Sequence, residues 1–292
     1  MRRSLIAAAA LLASLGVARA QPTPAAPGAT ALRVGALQLW ALRDADFSPP
    51  NDGKTFGVDV GPAAVAQVLR AAGKPTDKVT VAVDALLVKA PGRVILLDTG
   101  LGPSARGAVM GSLAQAGVSP DQVTDVLITH THGDHVGGLA TADGRSAFPK
   151  AVIRMSQREW AYMQGQPGAQ KLAAVIKPQV RTFEPGAEVA PGIAAVAFDG
   201  HTPGHVGYEV VSGQARLLDI GDVAHSSLVS LQKPDWAMGF DSDKAVGRAT
   251  RRAELTRLSQ THELIFAPHF PYPGVGRVER DGDGFVWRPA LR

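Results

Sequence analysis

The sequence predicts a layered α/β domain built as one globular unit, and three observations carry that expectation. Short apolar, strand-like runs at residues 93–98, 123–129, 215–220 and 264–267 alternate with segments of helical periodicity. The last three runs lead into polar residues, and layered α/β proteins gather their site residues at the C-terminal ends of strands. The chain's 292 residues approach the upper end of what a single hydrophobic core accommodates.

Residues 1–20 read as a secretory leader. Arg2 and Arg3 form a basic start, residues 5–17 an apolar stretch, and Ala18, Arg19 and Ala20 a small-residue cleavage site. The apolar stretch is shorter than the ~20 residues a membrane span needs, so membrane insertion is not expected. The expected location is periplasmic or secreted, with the general secretory route preferred over the twin-arginine route. Residues 21–31 read as a mobile Pro-rich tether, with the folded domain running from 32 to 292. Cleavage removes Arg2, Arg3 and Arg19 and no acidic residue, so the net charge falls from +4 to +1. No basic stripe with interleaved aromatics remains, which argues against a nucleic-acid partner.

Within the domain, residues 32–41 read as a strand and 44–59 as a loop rich in Pro, Gly and Asp. Residues 62–72 read as a helix, 79–89 and 93–98 as a strand hairpin, and 104–116 as a helix. Ser119 followed by Pro120 is a helix-start signal. Helices are expected at 157–163, 170–176 and 242–260. The last has apolar positions at 245, 246, 249, 253, 255 and 258, and its four arginines read as a solvated face.

The most informative segment is residues 129–138. It places His130, His132, Asp134 and His135 within six positions, as HxHxDH. Neutral imidazoles and ionised carboxylates are the ligand set that suits zinc. Gly133, Gly137 and Gly138 permit the tight backbone that would fold these ligands around one point. Eight histidines occur in the chain, and three of them fall in this string. Beyond it, His205 follows Thr202, Pro203 and Gly204, Asp222 follows Gly221, and His269 follows Ala267 and Pro268. His201 reads as a turn-bonding residue and His262 as a cation suited to a helix C-terminus. His225 stands open between the rim of the site and a plain loop.

These motifs, in the order Leu96-Leu97-Asp98-Thr99-Gly100, HxHxDH, His205, Asp222 and His269, resemble the metallo-β-lactamase superfamily over residues 33–290. Residues 148–154 and 268–274 look most like N-acyl homoserine lactonases and methyl parathion hydrolase-like proteins. The resemblance implies an αββα four-layer sandwich. It implies that His130, His132 and His205 hold one divalent ion and that Asp134, His135 and His269 hold a second. Asp222 would bridge them, and Asp98 would orient a ligating histidine. Two zinc ions are expected, with manganese, cobalt or iron as substitutes. A metal-bridging hydroxide would attack a lactone or ester carbonyl, with Asp134 carrying the proton to the leaving oxygen. The alternative is an organophosphate triester hydrolase. Glyoxalase II-like thioesterase and iron-dependent sulfur oxygenase chemistry rank lower, as does a metal-binding protein without turnover.

The absence of cysteine removes thiolate ligands and counts against the β-lactamases that place cysteine on the second metal. A small-molecule substrate is expected, and relatives suggest a homodimer. Pocket-wall candidates are Trp40, Phe47, Phe56, Trp160, Phe183, Phe270 and Tyr272. Tyr208 and Tyr272 are the tyrosines considered for holding a carbonyl oxygen.

Overall fold

The computed structural model describes residues 22–291, so the expected leader and Gln21 lie outside the described residues. The described strands form two seven-stranded sheets. The first contains β1 (Thr23–Val34), β2 (Leu37–Phe47), β3 (Val81–Ala90), β4 (Arg93–Leu97), β5 (Asp125–Leu127), β6 (Val152–Ser156) and β7 (Val180–Phe183) in sequence order. It is antiparallel from β1 to β4 and parallel from β4 to β7. The second contains β8 (Glu188–Ala190), β9 (Ile193–Ala197), β10 (Val206–Ser212), β11 (Ala215–Asp219), β12 (Ile265–Phe266), β13 (Val275–Asp281) and β14 (Gly284–Pro289).

β3 shows why the sheets stack. It is buried along nearly its whole length, so both of its faces are covered, which suits its nearly continuous apolar sequence. One side packs Leu86 with Leu39, Ile95 and Leu97 against Tyr208, Val210, Leu217 and Phe266 of the second sheet. On the other side, Leu87 meets α2 (Val109–Gln115), α4 (Gln157–Gly165) and α5 (Gln170–Ile176) through Leu113, Met163 and Ile176. α7 (Lys244–Thr261) covers the second sheet, with Leu255 and Leu258 against Leu218, Val278 and Phe285. The layers are therefore helix, sheet, sheet, helix. Each fully buried Leu, Ile or Phe contributes roughly 1.5–3 kcal/mol of hydrophobic stabilisation. Two further helices, α1 (Pro62–Ala71) and α6 (Val229–Gln232), pack with Phe56, Val81 and Met238 beside the site.

Three expectations are corrected. Residues 23–31 are not a tether, because they belong to β1 and pair with β2. An edge strand tolerates proline, since its outward amides need no partner. A register shift between Pro24 and Gly28 absorbs the irregularity, and the Gly28 amide donates to Ser112 Oγ at 3.0 Å. The helix expected over 104–116 is broken into a turn at Pro103–Ala105 and α2. Buried Asp44 fills that break, accepting from the amides of Leu101 at 2.7 Å and Val109 at 2.9 Å. A Cβ on Gly107 would meet Asp44 Oδ1 at 2.5 Å. Third, the arginines of α7 are not all solvated. Arg251 is fully buried, donating to the carbonyls of Pro234 at 2.9 Å and Trp236 at 3.1 Å, whereas apolar Val246 is 41% exposed.

Candidate metal centre

Every group of the candidate site follows a strand, in a loop or in the short helix that the loop runs into. The loop following β5 carries His130 and His132 and runs into the short helix α3 (Gly133–Val136), which presents Asp134 and His135. His201 lies between β9 and β10, Asp222 follows β11, and His269 follows β12. After α3 the chain continues into a turn, and at Gly137 and Gly138 it passes against the backbone of residues 99–101. A Cβ on Gly138 would lie 2.2 Å from the Thr99 carbonyl, and one on Gly137 would lie 2.2 Å from that of Leu101. Gly133, by contrast, has open space around it, so the expected steric need for glycine holds at 137 and 138 only.

The side chains converge as two groups that could hold a metal ion, one of His130, His132, His201 and Asp222 and one of Asp134, His135 and His269. In the first, His201 Nε2 lies 2.9 Å from His132 Nδ1 and 3.1 Å from His130 Nε2, and the last two atoms are 3.1 Å apart. Asp222 Oδ2 faces this trio, 3.1 Å from His201 Nε2 and 3.6 Å from His130 Nε2. Asp222 Oδ1 faces the second group, 3.1 Å from His269 Nε2 and 3.3 Å from His135 Nε2. Asp134 Oδ2 lies 3.6 Å from His269 Nε2 and 3.8 Å from His135 Nε2, and its side chain is 30% exposed toward the cavity.

One expected ligand is corrected. His205 is buried, but both of its ring nitrogens are engaged elsewhere. Nδ1 donates to the Phe198 carbonyl at 3.0 Å, and Nε2 accepts the Asp222 amide at 3.0 Å. His201 takes the place given to His205, while His205 positions the backbone of Asp222. Two histidines four residues apart were equally placed in sequence, and only the turn between β9 and β10 separates them.

Hydrogen bonds at the far nitrogen aim most of the inward imidazoles. Asp98 accepts from His135 Nδ1 at 2.7 Å, as expected of it, and from the Thr129 hydroxyl at 2.7 Å. That hydroxyl in turn accepts from His130 Nδ1 at 3.1 Å. His269 Nδ1 donates to the Ala82 carbonyl at 2.7 Å, and His201 Nδ1 to Asp241 Oδ1 at 3.1 Å. Such partners fix the tautomer and leave the other nitrogen free to bind.

Glu159 and Asp241 were missed in the sequence. Glu159 is fully buried on α4 and joins the two histidine loops. Its Oε1 accepts from the amide and hydroxyl of Thr131, both at 2.7 Å, and its Oε2 from the Thr202 hydroxyl at 2.6 Å and the Gly204 amide at 3.1 Å. The spacing Ser156-x-x-Glu159, a helix-capping pattern, was its only sequence signal. The Glu159 amide does donate to Ser156 Oγ, but the carboxylate turns to the loops. Asp241 braces His201 and is itself held by Arg251 at 3.4 Å.

The cavity above these groups has a volume of about 830 Å³, and its apolar wall includes Phe47, Val81, Val83, Leu101 and Phe240. Of the expected wall residues, only Phe47 lines it. Phe270 packs edge-on against Trp287 in the core, and Tyr272 bonds Thr30 between the sheets. Tyr208 is also removed as a carbonyl-holding candidate, because it is buried and donates to the Ile128 carbonyl at 2.7 Å. Trp40 and Trp160 pack on the helix-covered side of the first sheet, Phe183 between the sheets, and Phe56 edge-on behind Phe240.

The electrostatics divide the histidines. Burial drives His130, His132 and His205 down, the last two to about 3. Burial also opposes charge on His201, but Asp222 and Asp241 outweigh it and hold that ring up to about 9. His135 and His269 are raised against burial chiefly by Asp222. The Asp222 carboxyl, despite burial, is held well below its usual range by His269, His135, His130 and His201.

The metallo-β-lactamase superfamily model matches residues 79–269, and the chain belongs to that superfamily. It is 48% identical over 62 residues to metallo-beta-lactamase domain-containing protein 1 of Mus musculus, covering 21% of each chain. It thus spans about a fifth to a quarter of the length of the curated mammalian relatives it matches. Among solved structures it is similar to AidC, described as a dizinc quorum-quenching lactonase, with 26% identity and a TM-score of 0.86 over 91% of this chain and 98% of that one. It is also similar to AbOPH, described as a hydrolase in the beta lactamase superfamily, with 27% identity and a TM-score of 0.82 over 92% and 99%.

Two outcomes are expected. Glu159→Gln replaces acceptor oxygens with an amide that opposes its donors. It should lower stability by on the order of 3 kcal/mol, read by chemical denaturation. The metal-free protein should also lose thermal stability as pH rises. Stabilisation from His201 is complete below its ordinary value of 6.5 and is lost as pH rises through about 9. Asp219, which burial and Asp98 push up to about 8, acts in the same direction. A melting temperature that climbs between pH 6.5 and 9 would contradict this.

Proposed function

We propose that this chain is a dinuclear metal-dependent hydrolase acting on lactones of the acyl homoserine type and on related esters. The observation that carries the proposal is Asp222, whose two oxygens face two separate histidine groups. The donor set fits a divalent cation. Three imidazole nitrogens converge at 2.9–3.1 Å, close to the separation of about 3.3 Å expected between ligands held tetrahedrally at zinc distances. His135 Nε2 and Asp222 Oδ1 are buried without a hydrogen bond, as atoms awaiting a cation would be.

His130, His132 and His201 would hold one ion, and Asp134, His135 and His269 the other, with Asp222 shared. Zinc is the first choice, supported by the dizinc description of AidC and by the nitrogen-rich donors. Bound there, the ions would supply an activated water and polarise the electrophile's oxygen. Asp134 is the more exposed of the two site carboxylates that line the cavity, and it would carry a proton to the leaving oxygen. The wall of Phe47, Val83, Leu101 and Phe240 would hold an acyl chain and exclude water. Because Phe47 and Phe240 also suit an aryl leaving group, organophosphate triesters are the second reading. The leader makes export to the periplasm part of the proposal, together with a small-molecule substrate and a homodimer. Among the described residues, no helix is long and apolar enough to cross a membrane.

Acid release from N-hexanoyl homoserine lactone by zinc-loaded protein tests the reading, and inactivity on lactones and aryl esters alike would remove it. Asp222→Ala should bring bound metal from two ions toward one. Its loss of activity should exceed the roughly 10–100-fold typical of removing an outer partner. Full metal content by elemental analysis would refute the shared role.

A further inference from the structure

We propose that Pro22, immediately before β1, is a specificity-determining residue that closes the outer side of the cavity against the alkyl tail of the substrate; this rests on the hydrolase reading above. Pro22 is partly buried and lines the cavity together with Phe47, Val81, Val83, Leu101 and Ala105. The sheet register explains its place. Thr23 pairs with Asp46, and Phe47 pairs with Val81. Continuing β1 backward by one residue therefore sets Pro22 beside Phe47, in a row of three side chains across β1, β2 and β3. Residues directly opposite on neighbouring antiparallel strands share a face and are close enough to touch. All three line the cavity, and β1 is the edge of its sheet, so Pro22 is the last hydrocarbon of that row.

The segment that carries Pro22 is fastened to the body of the domain. Prolines at 22, 24 and 27 fix φ and present no amide donor. The Pro27 carbonyl accepts from Gln115 Nε2 at 3.2 Å, and the Gly28 amide donates to Ser112 Oγ at 3.0 Å, so both ends of α2 side chains hold β1 in place. Gly111 permits the close approach, since a Cβ there would lie 2.7 Å from Pro27 Cγ. A wall already ordered in this way loses little entropy when a ligand meets it. The reacting end of the substrate belongs at Asp134 and Asp222, which line the same cavity. The remaining hydrocarbon is left to the apolar row, where each methylene withdrawn from water favours binding.

The test compares Pro22→Ser, which withdraws hydrocarbon from the wall, with Pro22→Leu, which restores it. Both variants should keep wild-type zinc content. With N-decanoyl homoserine lactone the serine variant should raise KM about fourfold, the effect of one methylene withdrawn from burial, and change kcat far less. With N-butanoyl homoserine lactone its KM should change by less than about twofold. The leucine variant should recover the decanoyl KM. The decanoate and butanoate of p-nitrophenol serve as the corresponding ester pair. Calorimetry with ring-opened N-decanoyl- and N-butanoyl-homoserine reads the same difference without turnover. No change, a change equal for both chain lengths, or loss of zinc in Pro22→Ser would overturn the inference. A chain-length-dependent loss of product binding in Pro22→Ser, alongside a wild type that hydrolyses no lactone, ester or phosphotriester, would defeat the hydrolase reading and leave this one standing. A wild type that neither binds these products nor hydrolyses these pairs defeats the inference, and inactivity on phosphotriesters as well would defeat both.

Discussion

The Asp222 carboxylate is the interaction on which the site depends. It is buried between two sets of imidazoles, and each oxygen answers one set. A charge removed from water in this way is strongly unfavourable unless cations or donors surround it. Here the compensation comes from His130, His135, His201 and His269, brought in on three separate loops. The fold can be understood as the frame that delivers those loops to one point. Two sheets packed face to face fix the strand ends, and the strand ends fix the ligands.

Between frame and ligands stands a layer of buried carboxylates. Asp98 leaves β4 in a left-handed conformation (φ 58°) that aspartate tolerates, and it reaches His135 and Thr129. Glu159 ties the loops of His132 and His201 to α4, and Asp241 with Arg251 ties His201 to α7. The outer helices therefore do more than cover sheets. α4 contributes Glu159, which holds two histidine loops together, and α7 contributes Arg251, which holds the Asp241 that orients the His201 ring. Breaking one partner of such a buried pair leaves the other charge uncompensated, which costs more than the pair itself contributes.

How much of this was legible in the sequence follows from range. HxHxDH is local, so His130, His132, Asp134 and His135 could be read directly, and the motif order brought in Asp98, Asp222 and His269. The layered fold was legible from strand runs and helical periods. The choice between His201 and His205 was not, because both sit in one turn and differ only in which carbonyl or amide each ring meets. Arg251 read as helix surface and Glu159 drew no reading, since periodicity marks apolar faces and is blind to a buried ion with distant partners. β1 was hidden because its prolines argue against a strand everywhere except at an edge. Tyr208 and Tyr272 were placed near the site by sequence distance alone; the pleat of β10 turned Tyr208 between the sheets, and the turn between β12 and β13 carried Tyr272 there.

The most direct test of the central claim is anomalous X-ray diffraction from zinc-loaded crystals. Two zinc peaks bridged by Asp222, with His201 rather than His205 in the first coordination shell, is the predicted result. A single zinc peak, or zinc bound by His205 while His201 stays on Asp241 alone, would contradict it.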